Sequence, residues 1–260
     1  MKKLWLIDLI HSDPLFLKSR EFFEVNRGTT QDSLRFLLSG ETDYAMISLV
    51  DYFKNKDILK LQSGPTITGK TRSNSNLLIS SGDDPIERMK ISVTKETETT
   101  AFYLRLVLDK LFPESTLERS EKTSAEDLLN ENKYALVIGD KAMNVYRTNY
   151  KIILDVTHMM SRLYSFYSVY AVTASLKECE DDKNLEKLCR IPSWEIRREI
   201  QEIAKRRDVA ENLLTEYYNV ISYDFNPFIK KNIDIMEKIY EENRDRIFSG
   251  DRKLKMTEKF

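Results

Sequence analysis

Glycine, cysteine and histidine are all scarce in this chain, and neither sign of charge is in excess. Seven glycines among 260 residues leave little material for a glycine-rich phosphate loop, so nucleotide binding of that kind is not expected. The two cysteines, Cys179 and Cys189, stand ten residues apart in "ECEDDKNLEKLC". With no CxxC and no neighbouring histidine pair, that spacing argues against a zinc site. Free thiols and a disulfide both remain open readings. Lys and Arg total 41 against 42 Asp and Glu, so there is no global attraction to nucleic acid or to anionic lipid. No run of about 18 apolar residues occurs, and no membrane-spanning helix is expected. The opening "MKKLWLIDLIHSDP" imitates a secretory signal for ten residues, but Asp8 breaks its apolar stretch and no small-residue cleavage site follows. The expectation is a cytoplasmic protein with no metal, no cofactor, and no nucleic-acid or membrane partner. Its oligomeric state is open.

What is present suits a folded core. The chain is 41% hydrophobic and 32% charged, which argues against disorder. Short apolar runs bounded by turn residues read as buried strands: "LWLIDLI" (4–10), "YAMISLV" (44–50), "KISV" (90–93), "YALVIGD" (134–140) and "YKIILDV" (150–156). Helical patterns alternate with them. "TTQDSLRFLLSGETD" has a polar start, Leu34, Leu37 and Leu38 on one face, and Gly40 as its stop. "TTAFYLRLVLDKLF" keeps Ala101, Leu104, Leu108 and Leu111 in register. From 175 the chain turns to charged helices. In the last, Phe228, Asn232, Met236 and Ile239 lie roughly along one face.

Two sets of alternating strands and helices predict an α/β fold of two lobes with mixed or parallel sheets and a helical C-terminal segment. The expected division is 1–85 in the first lobe, 86–172 in the second, and 173–260 returning to the first. "NSNLLIS" (74–80) and "FYSVYAV" (166–172) are the expected crossings. In such a design a small ligand sits in the interlobe cleft, at the carboxyl ends of strands.

Polar residues gather at those ends. They are His11 and Ser12 after the first strand, Ser48 in the third, and Asn74 and Ser75 at the first crossing. Thr97, Thr99 and Thr100 follow "KISV", Asp140 follows "YALVIG", and His158 follows "YKIILDV". Each also has a plainer reading. Ser12 and Thr97 suit helix caps, His11 suits a satisfied buried histidine, and Asp140 suits a cap or turn. Three threonines in "KETETT" exceed what one cap needs. A helix start there offers free N–H groups and a positive dipole end to an anion.

Several motifs together resemble the menaquinone-biosynthesis family of the futalosine route, its chorismate dehydratase branch in particular. "DYAMISLVDYFKN" is similar to that family's Asp-x-Ala-Leu-Ile-Pro-Ser-x-Glu-Tyr segment through Asp43, Ala45, Ile47, Asp51 and Tyr52. "VTKETETTAFYLRLVL" resembles its Ser-x-Thr-Ser turn and helix, and "YALVIGDKAM" its Leu-Ile-Gly-Asp segment. "ILDVTHMMSRLYSFYSVYAV" resembles its Asp-Leu-Gly to Pro-Phe-Val-Phe-Ala segment. The resemblance covers about residues 1–175. It implies a fold like that of type II periplasmic binding proteins and a small carboxylate ligand. The implied enzyme is a metal-free carbon–oxygen lyase that dehydrates chorismate to 3-enolpyruvylbenzoate in menaquinone biosynthesis. His11 stands where the family has a loop asparagine, and Ser75 in "RSNSN" stands for its retained serine. These two carry the expected catalytic roles, His11 as base or orienter. Ser12, Ser48, Asn74, Thr97, Thr99, Thr100, Asp140, His158 and Tyr167 are the expected binding residues. Ser48 and Tyr167 replace family prolines, and Ser165 a glycine. A non-catalytic solute or anion binder on the same scaffold is the alternative.

Overall fold

The computed structural model describes residues 1–82 and 86–248. The chain forms two compact units, one of residues 1–69 and 169–231, the other of residues 70–168 and the segment from 232 onward.

Unit 1 begins with β1 (Lys3–Ile7), α1 (Asp13–Ser19), β2 (Glu24–Gly28), α2 (Thr30–Leu38), β3 (Tyr44–Ser48), α3 (Leu49–Lys54), β4 (Leu59–Leu61) and β5 (Ile67–Gly69). Local chemistry sets these limits. Thr29 and Asp32 close a reciprocal capping box at the start of α2, and Gly40 follows its end at φ +73°. All five residues of β3 are buried, as expected of a strand covered on both faces.

Unit 2 holds β6 (Asn76–Ser80), β7 (Lys90–Thr94), α4 (Glu98–Leu111), β8 (Thr116–Ser120), α5 (Ala125–Glu131), β9 (Tyr134–Ile138), α6 (Gly139–Val145), β10 (Lys151–Asp155) and α7 (Val156–Tyr164). Helix α4 is its centrepiece. Every residue from Ala101 to Leu108 is buried, because apolar residues run all round it rather than along one stripe. Each large side chain fully buried there contributes about 1.5–3 kcal/mol.

The chain re-enters unit 1 along β11 (Ser168–Leu176), followed by α8 (Lys183–Leu188), α9 (Ser193–Arg207), α10 (Glu211–Val220) and β12 (Ile221–Ser222). Helix α11 (Pro227–Asn243) then starts in unit 1 and ends in unit 2.

The first sheet has the order β12-β5-β11-β3-β1-β2, with β4 also pairing β11. β1 is parallel to β2 and β3, and β11 is antiparallel to β3. The second sheet has the order β10-β6-β9-β7-β8. There β7 is parallel to β8 and β9, while β6 is antiparallel to β9 and β10. The start of β6 therefore shares one sheet edge with the C-terminal ends of β7, β9 and β10. Asn76 lies opposite Ile138, and Leu77 lies opposite both Val137 and Asp155.

The architecture is the expected two-sheet α/β one with a helical C-terminal segment, but the chain changes unit at other places. Unit 1 ends at 69 rather than 85, because "NLLIS" pairs with β9 and β10 and so belongs to the second sheet. The return falls at 168/169 rather than after 172. The last segment does not stay with unit 1. The Tyr240 ring meets Phe102 edge-on at 5.6 Å, and Arg119 lies over the Phe248 ring, which ties the end of α11 and the turn after it to unit 2. Phe228, which shares a face with Asn232, Met236 and Ile239 by spacing, is 51% exposed. Asn232, Met236 and Ile239 of that face are buried, together with Ile229, Ile233 and Tyr240.

Candidate functional site

The edge where β6 begins and β7, β9 and β10 end gathers short polar groups into one hydrogen-bonded network. Asp155 closes β10, and its carboxylate caps α7 by accepting from the backbone N–H of His158 at 3.0 Å. The other carboxylate oxygen accepts from the backbone N–H groups of Ser73 (3.0 Å) and Asn74 (2.7 Å). Asn74 has φ +55°, a left-handed conformation that asparagine tolerates better than most residues. The Ser73 hydroxyl oxygen accepts from Asn76 Nδ2 (3.0 Å) and from the Ser75 N–H (3.3 Å). Thr100 Oγ1 donates to Asn76 Oδ1 at 3.1 Å, which joins the start of α4 to the loop. Gly139 N donates to the Ser75 carbonyl at 2.9 Å.

Within this closed network one group has nothing to do. Ser75 is 4% exposed, and its hydroxyl has no hydrogen-bond partner among the described residues. The hydroxyl oxygen is not among the fully buried atoms left unpaired, so it keeps access to solvent and can be reached by a bound acceptor.

The threonines act differently from one another. A 3₁₀ turn, Lys95–Thr97, leads directly into α4, so some leading N–H groups are used in the tighter turn. Thr97 Oγ1 donates to the Thr94 carbonyl at 2.7 Å and makes no cap bond. With Thr100 committed to Asn76, neither Thr97 nor Thr100 has its hydroxyl proton free for a ligand. Thr99 is buried beside them. Glu98 is drawn to Arg119 by an ion pair. His158 is exposed, with Nδ1 3.3 Å from the Thr71 carbonyl oxygen. Asp140 sits half-buried in the first turn of α6, and Tyr167 half-buried between α7 and β11.

His11, Ser12 and Ser48 belong to unit 1. Ser48 caps α3, accepting from Asp51 N at 3.1 Å and donating to Asp51 Oδ2 at 2.7 Å. Ser12 precedes α1 without a cap bond, and its hydroxyl lies 4.0 Å from Met46 Sδ. The loop carrying His11 is pinned from the C-terminal segment. Tyr218 donates to the Ile10 carbonyl (2.8 Å) and Tyr223 to the His11 carbonyl (2.9 Å). His11 Nε2 is buried and unpartnered among the described residues. Burial chiefly, with Arg207 and Arg27 adding to it and Asp13 opposing, takes the imidazole down to a pKa of about 3. The ring is therefore neutral at pH 7 but a weaker base than ordinary histidine.

That shift predicts an acid dependence of stability. The unfolded chain takes up a proton near pH 6.5 and the folded one only near pH 3. Stability is thus held above about 6.5 and falls as the pH drops from there towards 3. Urea titrations of the parent and of His11→Gln at pH 7, 5.5 and 4.5 are expected to show the parent losing more stability over this range. Parallel losses would place the imidazole in an ordinary aqueous environment.

Residues 64–71, "GPTITGKT", carry the spacing of a phosphate-binding loop, which the low glycine count hid. Such a loop must follow a strand and open a helix. Here the middle of the stretch is itself strand β5, paired with β12. A Cβ added at Gly64 would lie 2.9 Å from Thr173, so that glycine serves close packing against β11. Asp155 is the residue the sequence reading missed. Its signal was there: an aspartate ending an apolar strand and starting a helix, as a cap does.

Among the described residues no helix is long and apolar enough to cross a membrane, and no three His, Cys, Asp or Glu side chains form a metal-binding group. Cys179 and Cys189 are free thiols.

A family model described as menaquinone biosynthesis matches residues 8–242. No curated protein matches the chain by sequence. Solved structures share its fold at low identity. A protein of Archaeoglobus fulgidus is 13% identical, with a TM-score of 0.70, over 92% of this chain and 96% of that one. The periplasmic aliphatic sulphonate binding protein of Escherichia coli is 9% identical, with a TM-score of 0.65, over 100% and 94%. The alkanesulfonate-binding protein of Xanthomonas axonopodis pv. citri, bound to MOPS, is 10% identical, with a TM-score of 0.67, over 97% and 95%. The fold is that of the periplasmic binding proteins.

Proposed function

Since the chain belongs to the menaquinone-biosynthesis family, we propose that it is an enzyme of that pathway which holds a small carboxylate at the edge of its second sheet and dehydrates chorismate to 3-enolpyruvylbenzoate. The observation that carries this reading is the Ser75 hydroxyl, which has no hydrogen-bond partner among the described residues, stays accessible, and stands in a network whose neighbouring groups are bonded. The fold's occurrence in proteins named for sulfonate binding is in keeping with an oxyanion ligand.

The reaction removes one ring hydrogen as a proton and the hydroxyl of the neighbouring carbon. Together they leave as water, and the ring becomes aromatic. Aromatisation supplies the driving force, so the protein's task is to fix the ring and its carboxylates and to bring one proton acceptor to the right hydrogen. Ser75 would donate to a carboxylate oxygen.

A second reading, a binder without turnover, is favoured by the weak basicity of His11. Incubation with chorismate separates the two. The enzyme reading expects loss of chorismate and the growth of one aromatic product equal to it in amount. Saturable binding with chorismate recovered intact would establish the binder instead.

A further inference from the structure

The open pocket beside Arg88, Lys133 and Tyr134 has mixed charge and no unpaired buried group. The small cavity between α1 and α9 is lined by Lys18, Glu21 and Glu195, whose charges pair with one another. Lys2, Tyr44 and the Glu180 carbonyl satisfy one another. Asp155 is different, because two segments depend on one side chain.

We infer that Asp155 is a positioning residue for the ligand site, holding the 73–76 loop and the start of α7 in one arrangement so that Ser75 presents its hydroxyl. The inference rests on the carboxylate site proposed above. One carboxylate oxygen takes the His158 N–H, and the other takes the Ser73 and Asn74 N–H groups. The Ser73 hydroxyl lies 3.5 Å from both oxygens and receives Asn76 Nδ2 and Ser75 N. Asp155 thus acts on Ser75 through Ser73, one hydroxyl away. It also offsets the left-handed backbone at Asn74, which has no other anchor as short as its 2.7 Å bond to Asp155. Because the carboxylate is an acceptor on both oxygens, it faces donors on both sides. An asparagine there keeps one acceptor and turns an NH₂ group towards donors on the other side. Asparagine can hold the loop or cap the helix, not both.

The reading makes Asp155 a residue that sets affinity, not one that touches reacting atoms. Loss of loop order is repaid by binding equally in ground and transition states, which raises KM and leaves kcat. The experiment measures chorismate turnover, chorismate binding by calorimetry, and deuterium uptake of the 71–77 peptide, for the parent, Asp155→Ala and Asp155→Asn. Asp155→Ala is expected to raise KM and Kd about tenfold with kcat within twofold. Its 71–77 amides should exchange faster when free, and saturating chorismate should restore protection. Asp155→Asn is expected to fall between, and it carries the test if the alanine variant does not fold. A parent that binds chorismate and variants that bind it equally well would overturn the positioning role alone. A fall in kcat at unchanged KM would do the same. A parent that neither binds nor converts chorismate would overturn the site and this inference with it.

Discussion

Asp13→Ala is expected to destabilise unit 1 by about 3–5 kcal/mol, the usual cost of removing one partner from a buried charge cluster. Asp13 is fully buried. It accepts from Arg27 Nη2 at 2.6 Å and from Arg207 Nε and Nη2, both at 2.8 Å, while Arg206 Nη2 lies 3.1 Å away. Burial alone would raise its pKa, but Arg207 and Arg27 outweigh burial and hold it below the usual carboxylate range. Without it, Arg27 and Arg207 keep Asp8, which is half-exposed, as an ion-pair partner in place of a buried carboxylate. Asp8→Ala is the control. As an exposed partner, its loss is expected to cost no more than about 1 kcal/mol. Urea unfolding of both variants at pH 7 measures the difference. Equal small losses would mean that the arginines are solvated and the cluster contributes little. Because Asp13 protonates only below the usual range, acid loosening between pH 6.5 and 4 is assigned to His11 and not to this cluster.

Ser75→Ala is expected to weaken chorismate binding by about tenfold or more while leaving the melting temperature unchanged. A hydrogen bond to a charged group contributes about 1.5–3 kcal/mol, and 1.4 kcal/mol is a factor of ten. The fold loses nothing comparable, since the hydroxyl has no protein partner among the described residues to forfeit. The two readouts together are what make this informative. A drop in both affinity and melting temperature would point to a packing role. Unchanged affinity would take Ser75 out of the site, and with it the observation on which the functional proposal stands.

Much of this fold could be read from the chain because strands and helices carry local signals. The apolar runs at 44–50, 90–93 and 134–140 became β3, β7 and β9 within a few residues. "KETETT" became a strand-to-helix turn, with α4 starting at Glu98. What could not be read was pairing. Nothing local says that "NLLIS" joins the second sheet; its antiparallel partners β9 and β10 lie tens of residues downstream. Nor does periodicity say where a long helix changes company: α11 starts in one unit and ends in the other. The candidate residues were found by position at strand ends, which is a sound rule for α/β sheets. Their individual duties were not, because hydroxyl donors commit themselves according to three-dimensional neighbours. Ser48 turned out to be a cap, Thr97 and Thr100 to be internally bonded, and Ser75 to be unpaired. The network at that sheet edge also turns on Asp155, which meets Ser73 and Asn74 some eighty residues away in sequence.

The most direct test of the central claim is a crystal structure of the chain with 3-enolpyruvylbenzoate bound. The account predicts a ligand carboxylate accepting from Ser75 Oγ at about 2.6–2.9 Å, the range of charge-assisted bonds, with the Asp155 bonds to Ser73 and Asn74 intact. A ligand held elsewhere, with the Ser75 hydroxyl still unpaired, would contradict it.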